Sequence, residues 1–294
     1  MKEPVKPKEE DCCSSGCNPC IFDVYEKQRE LYEEYLQSSD TSIQIEENAI
    51  SQLEYTPFLV VENNNICKEH KLIIFKHKHL GNKKLWWKPG NYFLLYFKSG
   101  ETQLSRAYTP LKISSAVNND YDFAIIIKKY ENGIVSKYMY NLEKDQETLW
   151  RGPYGTYELT SNHFDRILMV AQGTGIAPFI SIIEHILNNE YDMTKIILFY
   201  CCHSIDNVLF RNQLYSYKSY WNFTYEIYVS FYISECMLKY QEPIQYHRLC
   251  SQDFYKLKPF SKKDQCILCG SEEFMNNLKS ILSMDVPVEN IILF

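Results

Sequence analysis

The sequence predicts an antiparallel β-barrel followed by a doubly wound α/β domain with a parallel sheet. Two rhythms carry that reading. Between about 55 and 149, short β-prone runs at 58–61, 71–76, 92–97 and 123–127 are separated by turn residues such as Pro89-Gly90 and Asn132-Gly133. About six such strands with one short helix suit a closed barrel. From Phe164 the rhythm alternates, with strands at 167–171, 195–201, 223–229 and 265–269 and helices at 177–187, 206–217 and 272–282.

The chain has 294 residues, enough for two domains and an appendage. The expected divisions are 1–45, 50–158 and 159–294. At 45% hydrophobic and 23% charged residues the composition is that of a globular protein. Aromatics reach 15%, with 24 Tyr, which accords with β structure and with ring-stacking surfaces. A net charge of −6 gives no electrostatic support to nucleic-acid binding, although Lys83, Lys84 and Lys88 form a local basic patch. No apolar run is long enough to span a bilayer, and the N-terminus has no apolar signal core. Lys2 stands where N-myristoylation requires glycine. The expectation is an intracellular, soluble, cytoplasmic chain whose 11 cysteines are mostly reduced.

Residues 1–11 are polar and are expected to be disordered. Cys12, Cys13, Cys17 and Cys20 follow, close enough together to hold Zn²⁺ or an iron–sulfur cluster; a reduced, unliganded segment is the other reading. Acidic and aromatic residues then recur at helical spacing from Asp23 to Leu36, and a polar linker covers 37–48.

Three strings in the barrel region point to a flavin. In Arg106-Ala107-Tyr108-Thr109-Pro110, alternate side chains of an extended segment address one ligand. Arg106 offers a guanidinium for a pyrophosphate, Tyr108 a stacking face and Thr109 a hydroxyl near the ring. In 128–136 a strand ends at Lys128, and a turn through Gly133 enters a short helix with Ile134, Val135 and Ser136, whose backbone N–H groups favour a phosphate. In Arg151-Gly152-Pro153-Tyr154-Gly155, two glycines around a proline let the backbone approach another molecule. Each string alone also reads as ordinary strand or turn.

In the second half, Gly173-Thr174-Gly175-Ile176-Ala177-Pro178 joins a buried strand to a helix, with glycines for close approach, Thr174 as a donor and Pro178 in the first helical turn. The string departs from G-x-G-x-x-G. After the next strand, Asp206 stands where a 2′-phosphate would need a cation, which favours NADH; Arg211 lies further along.

In their order, these strings resemble the flavin and nucleotide domains of the ferredoxin–NADP reductase superfamily, and most closely the NADH-cytochrome b5 reductases. The resemblance covers about 55–294 and implies an FAD-binding barrel and an NADH-binding α/β domain. It further implies that Cys269 lies beside the nicotinamide, with Gly270 at the next turn. The family pattern C-G-P-x-x-M is altered here: Ser271 replaces proline and Met275 falls one residue late. The terminal Phe294 matches the family's terminal Phe, whose ring lies near the flavin face. Residues 12–25 resemble a short oxidoreductase-like module of undefined role. The activity implied is hydride transfer from NADH to FAD and release of single electrons to a haem protein such as cytochrome b5. A quinone, ferric chelate or iron–sulfur partner is the alternative acceptor, and a non-enzymatic redox or assembly protein the alternative role. No acid–base catalyst is required, so the seven histidines are read as structural.

Overall fold

The computed structural model describes residues 3–12, 19–37, 48–79, 81, 83–112, 121–231 and 238–294. They fall into two compact units, Met1–Asn64 with Lys71–Tyr157, and Asn65–His70 with Glu158–Phe294. Among the described residues, no helix is long and apolar enough to cross a membrane.

The first unit holds β1 (Thr56–Cys67), β2 (His70–His77), β3 (Tyr92–Ser99), β4 (Thr102–Tyr108), β5 (Phe123–Lys128), the short helix α2 (Ile134–Tyr140) and β6 (Glu147–Tyr154), preceded by α1 (Ile21–Gln37). The strands form one sheet in the order β4-β3-β6-β1-β2-β5. Beyond the end of β4, Leu111 exchanges two backbone hydrogen bonds with Ala124 of β5, at 2.8 and 3.0 Å. That bridge joins the two edges, as a barrel demands. Alternate residues fill the interior: Phe58 and Val60, Ile73 and Phe75, Phe93 and Leu95, Phe123 and Ile125, with Trp150 among them. Phe58, Phe75 and Trp150 all pack on the Phe123 ring, with centroids 5.0–5.3 Å apart.

Strand β3 is buried on both faces, and the N-terminal helix is the reason. Val24 of α1 packs with Leu94, Tyr154, Leu53 and Tyr92 outside the barrel. The helix starts where the Asp23 carboxylate accepts from the Cys20 amide at 3.2 Å. Only Ile21 and Val24 in its first two turns are buried, and the remainder carries surface ion pairs, Glu26–Arg29 and Arg29–Glu33. Burying these two side chains is worth about 1.5–3 kcal/mol each. Within residues 1–11, expected to be disordered, the described part has tertiary contacts: Pro7 is buried, and Arg151 Nη2 donates to the Asp11 carbonyl at 2.8 Å.

The second unit contains β7 (Arg166–Gln172), α3 (Ala177–Leu187), β8 (Lys195–Cys202), α4 (Arg211–Tyr217), β9 (Phe223–Val229), β10 (Ile244–Gln245), β11 (Asp264–Cys269), α5 (Glu272–Leu282) and β12 (Ile291–Leu293). The order is β10-β9-β8-β7-β11-β12, and every pair is parallel. The chain moves outward from β7 through β8 to β9, then crosses back to β11 on the other side of β7. The topological switch point therefore lies between β7 and β11, where such folds bind ligands at the carboxyl ends of the strands. Leu278 and Leu282 of α5 cluster with Leu168 and Val170 of β7.

The helix expected at 206–217 is broken. A 3-10 turn covers Ile205–Asn207, and Phe210 adopts a left-handed conformation with φ 56° before α4 begins. Burial of Val208 and Leu209 draws the connection inward, and the Leu209 amide donates to the Tyr200 hydroxyl at 3.4 Å. Core packing offsets the roughly 1–2 kcal/mol that a left-handed non-glycine residue costs.

Candidate dinucleotide and flavin sites

Gln172 ends β7, a 3-10 turn covers Gly173–Ile176, and α3 follows with Pro178 in its first turn. Gly173 takes φ +55°, a conformation natural to glycine, and a side chain there would project into open space. Its carbonyl accepts from the Tyr200 hydroxyl at 3.0 Å. Gly175 is constrained from the opposite side: a Cβ there would stand 2.4 Å from the Cys269 carbonyl oxygen and 3.2 Å from its Sγ. Gly270 in turn leaves room for Gln172 and Phe274. The Gln172 side-chain oxygen accepts from the Ser271 amide at 3.1 Å. The turn after β7 and the turn after β11 are thus fitted together at the switch point, with half-buried Thr174 between the two glycines.

Ser271 is the N-cap of α5, its Oγ accepting from the Phe274 amide at 3.3 Å, and Glu272 and Glu273 occupy the first turn. Serine therefore starts this helix where the family pattern has proline. Burial pushes the Cys269 thiol up to about 12, so it is neutral near pH 7. The Phe294 amide donates to the Leu268 carbonyl at 2.9 Å, and its ring lies 6.1 Å from that of Phe179.

Asp206 lies exposed in the 3-10 turn beyond β8. Arg211 is engaged by Glu242: Arg211 Nε donates to Oε1 at 2.6 Å, and the Glu242 side chain is fully buried. Burial acts to raise the Glu242 carboxyl, but hydrogen bonds from Arg211 and the Lys239 amide, with their charges, hold it below the usual carboxylate range.

The flavin strings lie in the first unit. Arg106 and Tyr108 are two residues apart on β4, opposite Leu95 and Phe93 of β3. Arg106 is exposed, its Nη1 donating to the Ser105 carbonyl at 2.8 Å. Tyr108 is half-buried, with its ring 5.8 Å from that of Trp150. Burial raises its phenol to about 12, and the Arg106 charge opposes that shift. Thr109 follows, half-buried. Lys128 ends β5 with its ammonium 5.9 Å from the Tyr130 ring centroid. Gly133 is the N-cap of α2; its carbonyl accepts from Ser136 Oγ at 3.1 Å, Ile134 is exposed and Val135 is buried. Tyr130 also acts electrostatically on Tyr108, which associates the second string with the first.

Of the four N-terminal cysteines, Cys12 and Cys20 are half-buried free thiols, while Cys13 and Cys17 lie outside the described residues. Sequence reasoning missed Tyr200, Gln172 and Trp150, which hold or back the turns without belonging to any motif. It also assigned the Arg151–Gly155 string to its glycines and passed over the fully buried arginine.

Three family models match the chain. An oxidoreductase FAD-binding domain covers 57–159, an oxidoreductase NAD-binding domain covers 169–280, and the N-terminal model of an oxidoreductase-like protein covers 1–41. The human protein named NADH-cytochrome b5 reductase-like is 28% identical over 289 residues, 95% of this chain and 90% of its own. Its mouse counterpart is 27% identical over 310 residues, 99% and 95% of the two chains. Among solved structures, the cytochrome b5 reductase domain of Ulva prolifera nitrate reductase superposes with a TM-score of 0.68 at 19% identity, covering 84% of this chain and 100% of that one. The CS-b5R domains of human Ncb5or give a TM-score of 0.68 at 18% identity, covering 82% and 69%.

Proposed function

From the premise that the chain belongs to the FAD- and NAD-binding oxidoreductases of the cytochrome b5 reductase type, we propose that it oxidises NADH and delivers single electrons to a haem protein of the cytochrome b5 kind. When bound, FAD supplies the conversion from a two-electron donor to a one-electron acceptor. The chain's own residues bind, orient and keep their protons. Gly173 and Gly175 admit a pyrophosphate to the start of α3, with Thr174 as a further donor. Cys269 and Gly270 shape the nicotinamide side of the same crevice, the thiol acting as a neutral neighbour. Arg106 pairs with the flavin pyrophosphate, Tyr108 gives the ring a protonated aromatic neighbour, and Thr109 a hydroxyl. Lys128, Gly133, Ile134, Val135 and Ser136 form a second phosphate turn.

The observation that carries this reading is the close fit of Gly175 to Cys269 at the switch point. NADH is preferred over NADPH because Glu242 takes the charge of Arg211 and Asp206 follows β8. Exposed Lys83, Lys84 and Lys88 offer an acidic haem protein local positive charge on a chain of net −6. Cys12, Cys13, Cys17 and Cys20 are a further candidate ligand set for zinc or an iron–sulfur cluster.

Steady-state NADH oxidation against a panel of acceptors tests the proposal. Cytochrome b5 is expected to be reduced fastest, at a rate that falls with ionic strength. A preference for a quinone, a ferric chelate or an iron–sulfur protein replaces the haem acceptor with that class. Protein that stays colourless after incubation with FAD refutes the flavin reading itself.

A further inference from the structure

Away from the cofactor strings, the second unit gathers three different metal-ligating side chains. Strand β10 ends beside Tyr228 of β9, and the chain then turns into a 3-10 helix at Ser251–Leu257. His247, Cys250 and Asp253 recur at every third position across that turn. His247 lies in a bend after β10, Cys250 is the extended N-cap of the 3-10 helix and Asp253 is its third residue. One ligand atom from each of the three lies within 4.8 Å of the other two.

The hydrogen bonds fix which lone pairs converge. His247 Nδ1 lies 3.0 Å from the Arg248 carbonyl oxygen. A carbonyl only accepts, so Nδ1 carries a proton and Nε2 is the ring nitrogen left to face another partner. Nε2 faces Asp253 Oδ1 at 3.6 Å, while Oδ2 of the same carboxylate accepts from the Cys250 amide at 2.8 Å. An imidazole nitrogen and a carboxylate oxygen thus face each other beside a thiol, an arrangement that a cation between them would satisfy. Zn²⁺ bound tetrahedrally at about 2.0–2.2 Å holds neighbouring nitrogen and oxygen ligands roughly 3.3–3.6 Å apart, and the observed 3.6 Å falls within that range. Cys250 is exposed, and as N-cap of the 3-10 helix its sulfur faces the Asp253 amide. Imidazole with thiolate suits Zn²⁺ and disfavours Mg²⁺ and Ca²⁺.

We propose that His247, Cys250 and Asp253 form a Zn²⁺ site with solvent as fourth ligand. The ion would pin the 3-10 helix whose Phe254 packs on Phe199, with ring centroids 5.6 Å apart. The competing occupant is a proton on Nε2, which makes the His247–Asp253 contact a plain ion pair.

Co²⁺ added to chelator-treated full-length protein distinguishes them. To silence the N-terminal thiols, the titration is run in a C12S/C13S/C17S/C20S background. One equivalent is expected to bind, with a thiolate-to-cobalt charge-transfer band that Zn²⁺ abolishes. Cys250→Ser should remove the band, and His247→Ala or Asp253→Asn should weaken binding at least tenfold. In the otherwise wild-type chain, Cys250→Ser should lower the stoichiometry by one, a check that holds even if the quadruple variant folds poorly. A band that survives Cys250→Ser, or the lack of saturable one-equivalent binding in both backgrounds, overturns the site in favour of the proton.

Discussion

A methyl group placed on Gly175 would put its carbon 2.4 Å from the Cys269 carbonyl oxygen, so the turn after β7 and the end of β11 fit only because residue 175 has no side chain. The obstructing atom belongs to the backbone of a central strand and cannot rotate away. Gly175→Ala should therefore cost about 1–3 kcal/mol of stability and raise KM for NADH more than it lowers kcat. Thermal unfolding with steady-state kinetics checks both; an unchanged Tm would show that the two turns yield easily.

Cys269 should be a poor nucleophile. Its thiol is pushed to about 12 by burial, whereas Cys250 is exposed. Thiol alkylation of chelator-treated protein between pH 7 and 9, followed by peptide mapping, should label Cys250 readily and leave Cys269 largely unmodified. Rapid labelling of Cys269 at pH 7 would contradict the buried, protonated thiol.

Arg106→Ala should weaken FAD retention by about 1.5–3 kcal/mol, the worth of a hydrogen bond to a charged group. The side chain is exposed and donates to the adjacent Ser105 carbonyl, so the fold should survive the change. Fluorescence titration of flavin-stripped protein measures the loss, and unaltered affinity would mean that Arg106 does not meet the pyrophosphate.

Arg151 is buried, lies 4.7 Å from the Tyr55 ring centroid and donates to Asp11, yet among the described residues its Nε and Nη1 have no hydrogen-bond partner. Removing a charge so incompletely satisfied is cheap. Arg151→Met should change global stability by no more than about 1–2 kcal/mol while releasing residues 3–12, seen as faster amide exchange confined to that segment. Protection equal to wild type would show that Pro7 and α1 suffice to hold it.

Glu242 makes stability depend on acid. Its carboxyl is held below the ordinary range in the folded chain, so its contribution is complete above the unfolded pKa and is lost as pH falls through the depressed folded value. Glu242→Gln should flatten the acid limb of Tm against pH and, by leaving Arg211 without its carboxylate, cost about 3 kcal/mol at neutral pH. Parallel acid limbs for the two proteins would exclude Glu242 as their source.

The fold was legible where a periodicity is paid out over a whole element. Helices α3 and α5 and strand β9 begin and end at the expected residues, because apolar spacing and flanking glycine, serine or polar residues agree there. The helix expected at 206–217 was misread because Ile205, Val208 and Leu209 fit a helical face as well as a buried irregular connection, and only the packing around Tyr200 decides between them. At the sites, the residues proposed to meet a ligand lie in motifs, whereas residues that brace the turns do not. Tyr200 looks like any strand aromatic until its hydroxyl meets the Gly173 carbonyl. Asp11 is met by Arg151, a partner that no local pattern reveals.

The Asp11–Arg151 bond joins residues 140 positions apart in the chain. During synthesis at roughly 5–20 residues per second, the earlier partner is added to the chain about 7–28 s before the later one. Throughout that interval the segment bearing Cys12 and Cys20 has no finished surface on which to lie, because β6 is still unsynthesised. Its thiols meet the surrounding metal ions and thiol–disulfide chemistry as part of a nascent chain, and only afterwards as part of a barrel.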